Sequence, residues 1–188
     1  MAQYVCPWWL GYLLINPFRR WGQNPEEMLA PYVREGMTVL EPGPGMGFFT
    51  LPLARITGPT GRVVAVDIQP RMLESLRRRA RKAGLLARIE TRLAQPNSMG
   101  IGDLKGKVDF VWAFYMVHEL PSVETFFCEA AAALKPGGLL LLAEPTGHVK
   151  PLKFNHELEA ALLAGFEVTE RPEIRRGLAA ILRKLDQI

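Results

Sequence analysis

The sequence places three glycines and two acidic residues where they could bind a nucleotide. The stretch VLEPGPGMGFF carries Gly43, Gly45 and Gly47 directly after a short apolar run. Glycine lacks a Cβ, so it adopts positive φ readily and lets a ligand approach the backbone closely. Glu41 precedes these glycines, and Asp67 ends the next apolar run, VVAVD. We interpret the stretch as a candidate nucleotide-binding loop, and the alternative is a turn that is merely rich in glycine.

The spacing of the glycines argues against two common phosphate-binding loops. The dinucleotide pattern G-x-G-x-x-G, begun at Gly43, would need a glycine where Phe48 stands. A Walker loop would need G-K-[ST], which the stretch lacks. Its pattern is E-x-G-x-G-x-G, and the acid at its head suits a cation such as an ammonium or sulfonium group. Asp67 could accept both hydroxyls of a ribose, or it could cap the helix that begins near Pro70.

His118, within YMVHEL, is the residue best suited to general acid–base chemistry. It follows a long apolar run, and the ordinary pKa of histidine lies near neutrality. A hydrogen-bonded packing histidine is the alternative. Glu144 and His148 are weaker candidates at the next predicted strand end, and Glu119 could orient His118. These side chains and His156 have no recognised metal-ligand spacing, so we predict no metal site.

Positioning these residues requires alternating strands and helices. The predicted strands are MTVLEP, GRVVAVDI, ARIETRLA, KVDFVWAFYMV, LLLLAE, FEVTERPEI and GLAAILRKL. Helical patterns follow the first, second, fourth and fifth of these strands, with Pro70 and Gly84 bounding one helix and Ser122 capping another. This alternation predicts an α/β fold, a doubly wound Rossmann-like sheet that binds ligands at the carboxyl ends of its strands. The last two strands have no helix between them, so they must be antiparallel.

Length and composition are those of an ordinary globular chain. Of the 188 residues, 48% are hydrophobic and 22% are charged, and the formal net charge of +4 indicates an acidic partner only weakly. We predict N-terminal helices that form a cap over residues 1–35 and one globular domain over 36–188. The two cysteines, Cys6 and Cys128, form no CxxC pair, which fits a cytoplasmic protein.

The N-terminal stretch YVCPWWLGYLLINPF is apolar, but Pro7, Gly11 and Asn16 interrupt it. No basic region precedes it, so we expect neither a signal peptide nor a transmembrane helix. Its aromatic residues predict a lid over an apolar or planar acceptor. A peripheral membrane contact through Trp8 and Trp9 is the alternative.

The basic run RRRARK, residues 77–82, is the sharpest charge feature of the chain. It lies on a predicted helix and contains no aromatic residues, so we interpret it as a solvated face rather than a nucleic-acid site. The sequence favours a small-molecule partner over nucleic acid, and it gives no oligomeric state.

Five segments together resemble the class I S-adenosylmethionine-dependent methyltransferases. They are VLEPGPGMGFFTLPLA, VVAVDIQPRML, VDFVWAFYMVHEL, ALKPGGLLLLAEP and LLAGFEV, and their order and spacing match the family. The chain is most similar to the small-molecule branch that includes the ubiquinone- and menaquinone-type methyltransferases. The resemblance implies a seven-stranded sheet with a reversed last strand, S-adenosylmethionine as cofactor and S-adenosylhomocysteine as product.

The resemblance also implies which residues bind the cofactor. They are Glu41, Gly43, Gly45, Gly47, Asp67, Ile68, Gln95, Ala113 and Phe114. Glu41 and the glycines would hold the methionine part, Asp67 the ribose, and Ile68 would contact the adenine. Ala113 and Phe114 would form the wall near the sulfonium. The family often has an acid after the third strand, where LAQPNS offers Gln95 or Asn97 instead.

The sequence therefore predicts a methyltransferase that acts on a small, apolar or planar acceptor. Methyl transfer from a sulfonium is an in-line displacement with a good leaving group, so positioning and desolvation supply much of the acceleration. A base such as His118 helps if the acceptor must lose a proton. Two alternatives stay open: a nicotinamide-dependent oxidoreductase, against which Phe48 argues, and a non-catalytic protein that binds the cofactor.

Overall fold

The computed structural model describes Gly11, Ile15, Arg19 and residues 22–186. Apart from those three residues, the predicted aromatic helix and its lid lie outside the described part of the chain. By its internal contacts the chain divides into two compact units, with the boundary between Ala94 and Gln95. The predicted boundary between a cap and a catalytic domain near residue 35 stays a prediction.

Helices and strands alternate as the sequence predicts. The helices are α1 (Pro25–Leu29), α2 (Thr50–Ile56), α3 (Pro70–Lys82), α4 (Val123–Ala133) and α5 (Pro151–Leu163). The strands are β1 (Thr38–Pro42), β2 (Arg62–Asp67), β3 (Ile89–Leu93), β4 (Val108–Phe114), β5 (Leu134–Pro145), β6 (Phe166–Glu170) and β7 (Gly177–Lys184). Their hydrogen-bonded order is β3-β2-β1-β4-β5-β7-β6. The predicted α/β class, with a doubly wound seven-stranded sheet and a reversed last strand, is confirmed.

The N-terminal unit contains three parallel strands. β1 pairs with β2 and β2 with β3, and the middle of each of the first two strands is buried. Because both faces of such strands are covered, their sequences are continuously apolar. Helix α3 begins at Pro70 and is followed by Gly84 in the left-handed region, with φ 69°, as predicted. Its buried face presents Met72 and Leu76 to the interior.

The C-terminal unit contains the parallel pair β4–β5 and the antiparallel strands β7 and β6. β4 is shorter than predicted because Tyr115 takes a φ of 60°, which a strand cannot continue, and a 3₁₀ turn over Val117–Glu119 follows. β5 begins earlier than the predicted strand LLLLAE, directly after α4, and its register with β4 shifts near this beginning. Ser122 caps α4 as predicted, since its Oγ accepts a hydrogen bond from the backbone N–H of Thr125 at 3.1 Å.

Helix α5 covers one face of the C-terminal strands. Phe154, Glu157 and Leu158 are buried on its inner side, whereas Leu152 and Leu163 are exposed. Within residues 22–186 the longest helices have 13 residues, and none is both long and apolar enough to cross a bilayer.

Candidate functional site: a glycine loop and a histidine–glutamate pair

The glycine loop, residues 43–47, follows β1 and has a backbone that requires glycine. Gly43, Gly45 and Gly47 have φ values of 66°, 54° and 86°. A Cβ at Gly45 would meet no atom within 4 Å, so open space lies beside this peptide. A Cβ at Gly47 would instead lie 2.4 Å from the side chain of Leu76. The loop thus combines space for a ligand with close packing against α3.

Glu41 lies in β1 just before the glycine loop, and its side chain is almost completely buried, with 3% exposure. Its Oε2 has no hydrogen-bond partner among the described residues. Burial raises the pKa of this carboxyl to about 8, the charge of Asp67 adds to the rise, and the Thr50 hydroxyl offsets part of it. The side chain is therefore mostly protonated at neutral pH, and a cation brought beside it would favour the carboxylate.

Asp67 ends β2 and connects this strand to the glycine loop. Its Oδ2 accepts a hydrogen bond from the Gly45 N–H at 3.3 Å, and its Oδ1 accepts one from the Gln69 N–H at 2.8 Å. Gln69 is the N-cap of α3, and no described side chain caps this helix by a hydrogen bond, so the alternative role of Asp67 as a helix cap is not borne out. Ile68 is 36% exposed, which leaves an apolar surface beside the carboxylate.

These residues fit S-adenosylmethionine, which carries an ammonium group, a ribose and an adenine. The buried Glu41 Oε2, which has no partner among the described residues, is an acceptor suited to the ammonium group. The open space at Gly45 would admit a ligand against the backbone, and Asp67 would present carboxylate oxygens to the ribose hydroxyls. The exposed face of Ile68 suits the adenine ring.

The remaining predicted cofactor residues lie in the C-terminal unit. Ala113 and Phe114 end β4, and both are buried. The Phe114 ring stacks on Trp112 on one side and on Tyr115 on the other, with centroid distances of 5.4 Å and 4.1 Å. Gln95 is exposed in a tight turn. Their roles in binding the cofactor stay predictions.

His118 lies in the 3₁₀ turn after β4 and forms two contacts with Glu144 near the end of β5. Its Nδ1 lies 2.5 Å from Glu144 Oε2, and its backbone N–H donates to Glu144 Oε1 at 3.0 Å. Glu144 is completely buried, and the His118 side chain is 11% exposed. A buried carboxylate on Nδ1 leaves Nε2 as the nitrogen that can accept a proton.

Opposing effects set the pKa of His118. Burial alone would lower the pKa, but the hydrogen bond and charge of Glu144, together with the charge of Glu119, outweigh it, even though Lys153 acts against them. The pKa of His118 is therefore above its ordinary value. The sequence offered Glu119 as the orienting residue, whereas the closest carboxylate is that of Glu144, since Glu119 Oε1 lies 4.0 Å from Nε2.

Two further residues of α5 surround the pair, and sequence reasoning missed both. Lys153 Nζ donates to the backbone carbonyl of His118 at 3.2 Å. Glu157 is 1% exposed, and neither carboxylate oxygen has a partner within the described chain. Burial raises its pKa to about 7, the charge of Glu144 adds to this rise, and Lys153 and His118 oppose it. The available signal was a glutamate on the apolar side of the helix, beside Phe154 and Leu158.

The other two histidines have exposed side chains, unlike His118. The ring of His148 is 5.7 Å from that of His118 and perpendicular to it, but its side chain is exposed. His156 is exposed on α5. Among residues 22–186, no group of three or more histidine, cysteine or acidic side chains is arranged to hold a metal ion.

Several known proteins similar to this chain are named as methyltransferases. The sequence profile of the methyltransferase domain family matches residues 40–142, more than half of the chain. The ubiquinone/menaquinone biosynthesis C-methyltransferase UbiE of Klebsiella pneumoniae is 31% identical over 60% of this chain and 44% of its own length. A ubiquinone biosynthesis O-methyltransferase of Methylocella silvestris is 33% identical over 69% of this chain and 48% of its own length. The chain thus spans about half the length of these curated relatives.

Solved structures show the same fold. A SAM-dependent methyltransferase from Aquifex aeolicus superposes with a TM-score of 0.84 and 25% identity, covering 95% of this chain and 98% of its own. A SAM-dependent O-methyltransferase from Thermotoga maritima has a TM-score of 0.68 at 19% identity, covering 88% of this chain and 66% of its own, and so supports the fold alone. The chain therefore belongs to the methyltransferase domain family, as a class I S-adenosylmethionine-dependent methyltransferase with S-adenosylmethionine as its cofactor.

Proposed function

We propose that this chain transfers the methyl group of S-adenosylmethionine to a small, planar acceptor, with His118 as the general base. The observation that carries the proposal is the contact between His118 Nδ1 and the buried Glu144. That contact selects the tautomer in which Nε2 accepts a proton and stabilises the imidazolium that results. A histidine that merely filled space would not need a buried carboxylate bound to it by two hydrogen bonds.

In the proposed reaction, His118 Nε2 removes a proton from the acceptor while the acceptor atom attacks the methyl carbon. Bound S-adenosylmethionine supplies an electrophilic methyl on a sulfonium, a leaving group that needs no protonation. Because Glu144 raises the pKa of His118, the histidine is a stronger base than a free imidazole. The same raised pKa means that a proton must first leave His118 at neutral pH.

The glycine loop and its neighbours would hold the cofactor. Glu41 would pair with the ammonium group, Asp67 would accept the ribose hydroxyls, and Ile68 would lie against the adenine. Gly45 and Gly47 would allow the backbone to approach the methionine part. The support for these roles is the Oε2 of Glu41, which lacks a partner in the described part of the chain, the loop backbone and the position of Asp67 at the strand end.

The acceptor class rests on the relatives and on the chemistry that His118 offers. Both curated relatives are named for ubiquinone biosynthesis, which supports a planar, quinone-related acceptor. A phenol or an enol carbon on such an acceptor would require proton removal, which is the chemistry that His118 offers.

Calorimetric titration with S-adenosylmethionine and S-adenosylhomocysteine tests the cofactor half of the proposal, with NADH as the control ligand. We expect micromolar binding of the first two and a loss on the order of 100-fold in Asp67→Ala, since hydrogen bonds to a charged group are lost. The exposed Asp186→Ala should bind as the wild type does. Preference for NADH would overturn the cofactor assignment.

Formation of S-adenosylhomocysteine with a panel of hydroxylated aromatic compounds and quinols tests the catalytic half. The proposal predicts turnover with at least one member and its loss in His118→Gln. Tight cofactor binding with no turnover on any small acceptor would favour the non-catalytic alternative.

A further inference from the structure

An open cleft lies in the C-terminal unit between α5, β7 and the segment that connects β6 to β7. Its volume is about 660 Å³, within the range of ~300–1,000 Å³ typical of small-molecule sites. Phe154, Ile174 and Leu178 give it an apolar wall. Nothing in the cofactor assignment uses this cleft.

Two arginines give the cleft a cationic side. Arg171 and Arg175 both line it, and neither guanidinium forms a hydrogen bond or an ion pair with another described residue. The Arg171 guanidinium carbon lies 5.9 Å above the Phe154 ring, so charge and aromatic surface occur together. Glu173 also lines the cleft, which leaves a formal charge of +1 on its walls. That balance suits a monoanion better than a dianion.

The register of the sheet makes one lining residue of this cleft a direct neighbour of Glu144. Leu178 of β7 lies directly opposite Glu144 of β5 in the antiparallel ladder, and directly opposed residues point to the same face of a sheet. Helix α5 supplies Phe154 to the cleft and Lys153 to the backbone carbonyl of His118. The cleft and the His118–Glu144 pair are therefore connected through the Leu178–Glu144 strand pairing and through helix α5.

We propose that the cleft binds the carboxylate of an aromatic acceptor through Arg171 and Arg175, so that the acceptor of this enzyme is a planar monoanion. The identification of the ligand as the acceptor rests on the proposed function; the binding of the anion does not. A guanidinium presents two N–H donors in a plane that matches the two oxygens of a carboxylate. The apolar wall contacts the ring, and the nucleophilic substituent faces the pair.

Equilibrium binding of aromatic carboxylates to the full chain without cofactor tests this inference. The probes are benzoate, 2-hydroxybenzoate and 4-hydroxybenzoate, each compared with its methyl ester, measured by ligand-observed NMR and calorimetry. We expect at least one acid to bind on the order of tenfold more tightly than its ester, because only the acid offers a charged partner.

Three variants and one control locate the binding. Arg171→Gln and Arg175→Gln should each weaken the acid about tenfold, whereas Glu173→Gln should strengthen it severalfold. Arg176→Gln is the matched control, because Arg176 adjoins Arg175 and does not line the cleft. Circular dichroism and thermal unfolding establish that each variant is folded. Equal binding of acid and ester for all three probes, or the same loss in Arg176→Gln as in Arg175→Gln, would overturn the inference.

Titration with S-adenosylmethionine in the same variants separates this inference from the proposed function. The affinity for S-adenosylmethionine should be unchanged in all four variants, since none of these residues is among those proposed to bind the cofactor. Arginine-dependent binding of the acids in a chain that does not bind S-adenosylmethionine would support the cleft and refute the function. Turnover of neutral acceptors alone, without binding of any acid, would support the function and refute the cleft.

Discussion

The same dipeptide, Glu-Pro, ends two strands of this protein and leads to opposite outcomes. Glu41 precedes Pro42 in β1, and Glu144 precedes Pro145 in β5. Both carboxyls are buried, with 3% and 0% exposure. Glu144 accepts from His118 through both oxygens, whereas Oε2 of Glu41 has no partner in the described chain. Burial therefore does not reveal what a carboxylate does; its partner reveals it.

The two glutamates differ in whether the chain offsets the free-energy cost of a buried negative charge. An ionised carboxylate without a hydrogen-bonding or cationic partner is expensive inside a protein, so it takes up a proton instead. Glu41 does so, with a pKa of about 8. A cation on a ligand can offset this cost, which makes Glu41 a binding group. For Glu144 the hydrogen bonds from His118 offset the cost, which makes Glu144 a positioning residue for His118.

The largest expected effect is on turnover when His118 is replaced. His118→Gln should lower kcat by about 10²–10⁴-fold, the usual contribution of a general base. Affinity for S-adenosylmethionine should stay within about twofold, as the proposed roles divide binding from proton transfer. His148→Gln is the control, since its ring is 5.7 Å from that of His118 but exposed. Unchanged turnover in His118→Gln would reject the base.

Glu144→Gln should lower kcat by about 10–100-fold and move the pH profile. In the wild type, activity rises as the pH passes through the raised pKa of His118. The variant loses the hydrogen bond and charge that raise this pKa, so its activity should rise at lower pH. The control is Glu159→Gln, which removes an exposed carboxyl from the same helix, α5. A loss of kcat with an unmoved profile would indicate a merely structural role.

The two glutamates should respond oppositely in stability. The pKa of Glu41 is raised from 4.5 to about 8 in the folded protein. The stabilisation that the protonated side chain contributes to the folded state is therefore complete below about pH 4.5 and is lost as the pH rises through 8. Glu41→Gln should remove this loss and raise the free energy of unfolding at pH 8 by about 4 kcal/mol relative to the wild type. Glu144→Gln should lower it by about 1–3 kcal/mol, because His118 loses a charged acceptor.

Urea denaturation at pH 5 and pH 8 measures both changes. A Glu41→Gln protein that is less stable than the wild type at pH 8 would mean that Glu41 has a partner within the protein. The comparison between the two strand ends would then fail.

The smallest effect concerns the proton of Glu41 during cofactor binding. At pH 7 this carboxyl is mostly protonated, and an ammonium group beside it favours the carboxylate, so binding should release nearly one proton. Titrations in phosphate and in Tris, whose ionisation enthalpies differ, measure the release. Glu41→Gln should abolish it and weaken binding about tenfold. An equal proton release in the variant would assign the proton to another group.

Much of the fold could be predicted because its signals are local. The seven apolar runs, the proline at the start of α3 and the glycine after it act within a few residues, and the structure confirms them. The predicted strand ends were wrong where pairing with residues far away in the sequence set them. β4 ends at Phe114, and the backbone N–H of the next residue, Tyr115, donates to the carbonyl of Ala143 in β5 at 2.8 Å. β5 begins earlier than the predicted strand LLLLAE because Leu134 pairs with Val108.

The sequence alone determined the family, the cofactor class and the residues that could react, because glycine spacing and strand-end acids are patterns along the chain. Only the tertiary structure decided which acid meets which partner. His118 and Glu144 are 26 positions apart, and Arg171 lines the cleft together with Phe154 of α5 and Leu178 of β7. A carboxyl's pKa and role depend on the groups around it in space, and neither Glu-Pro dipeptide carries that information by itself.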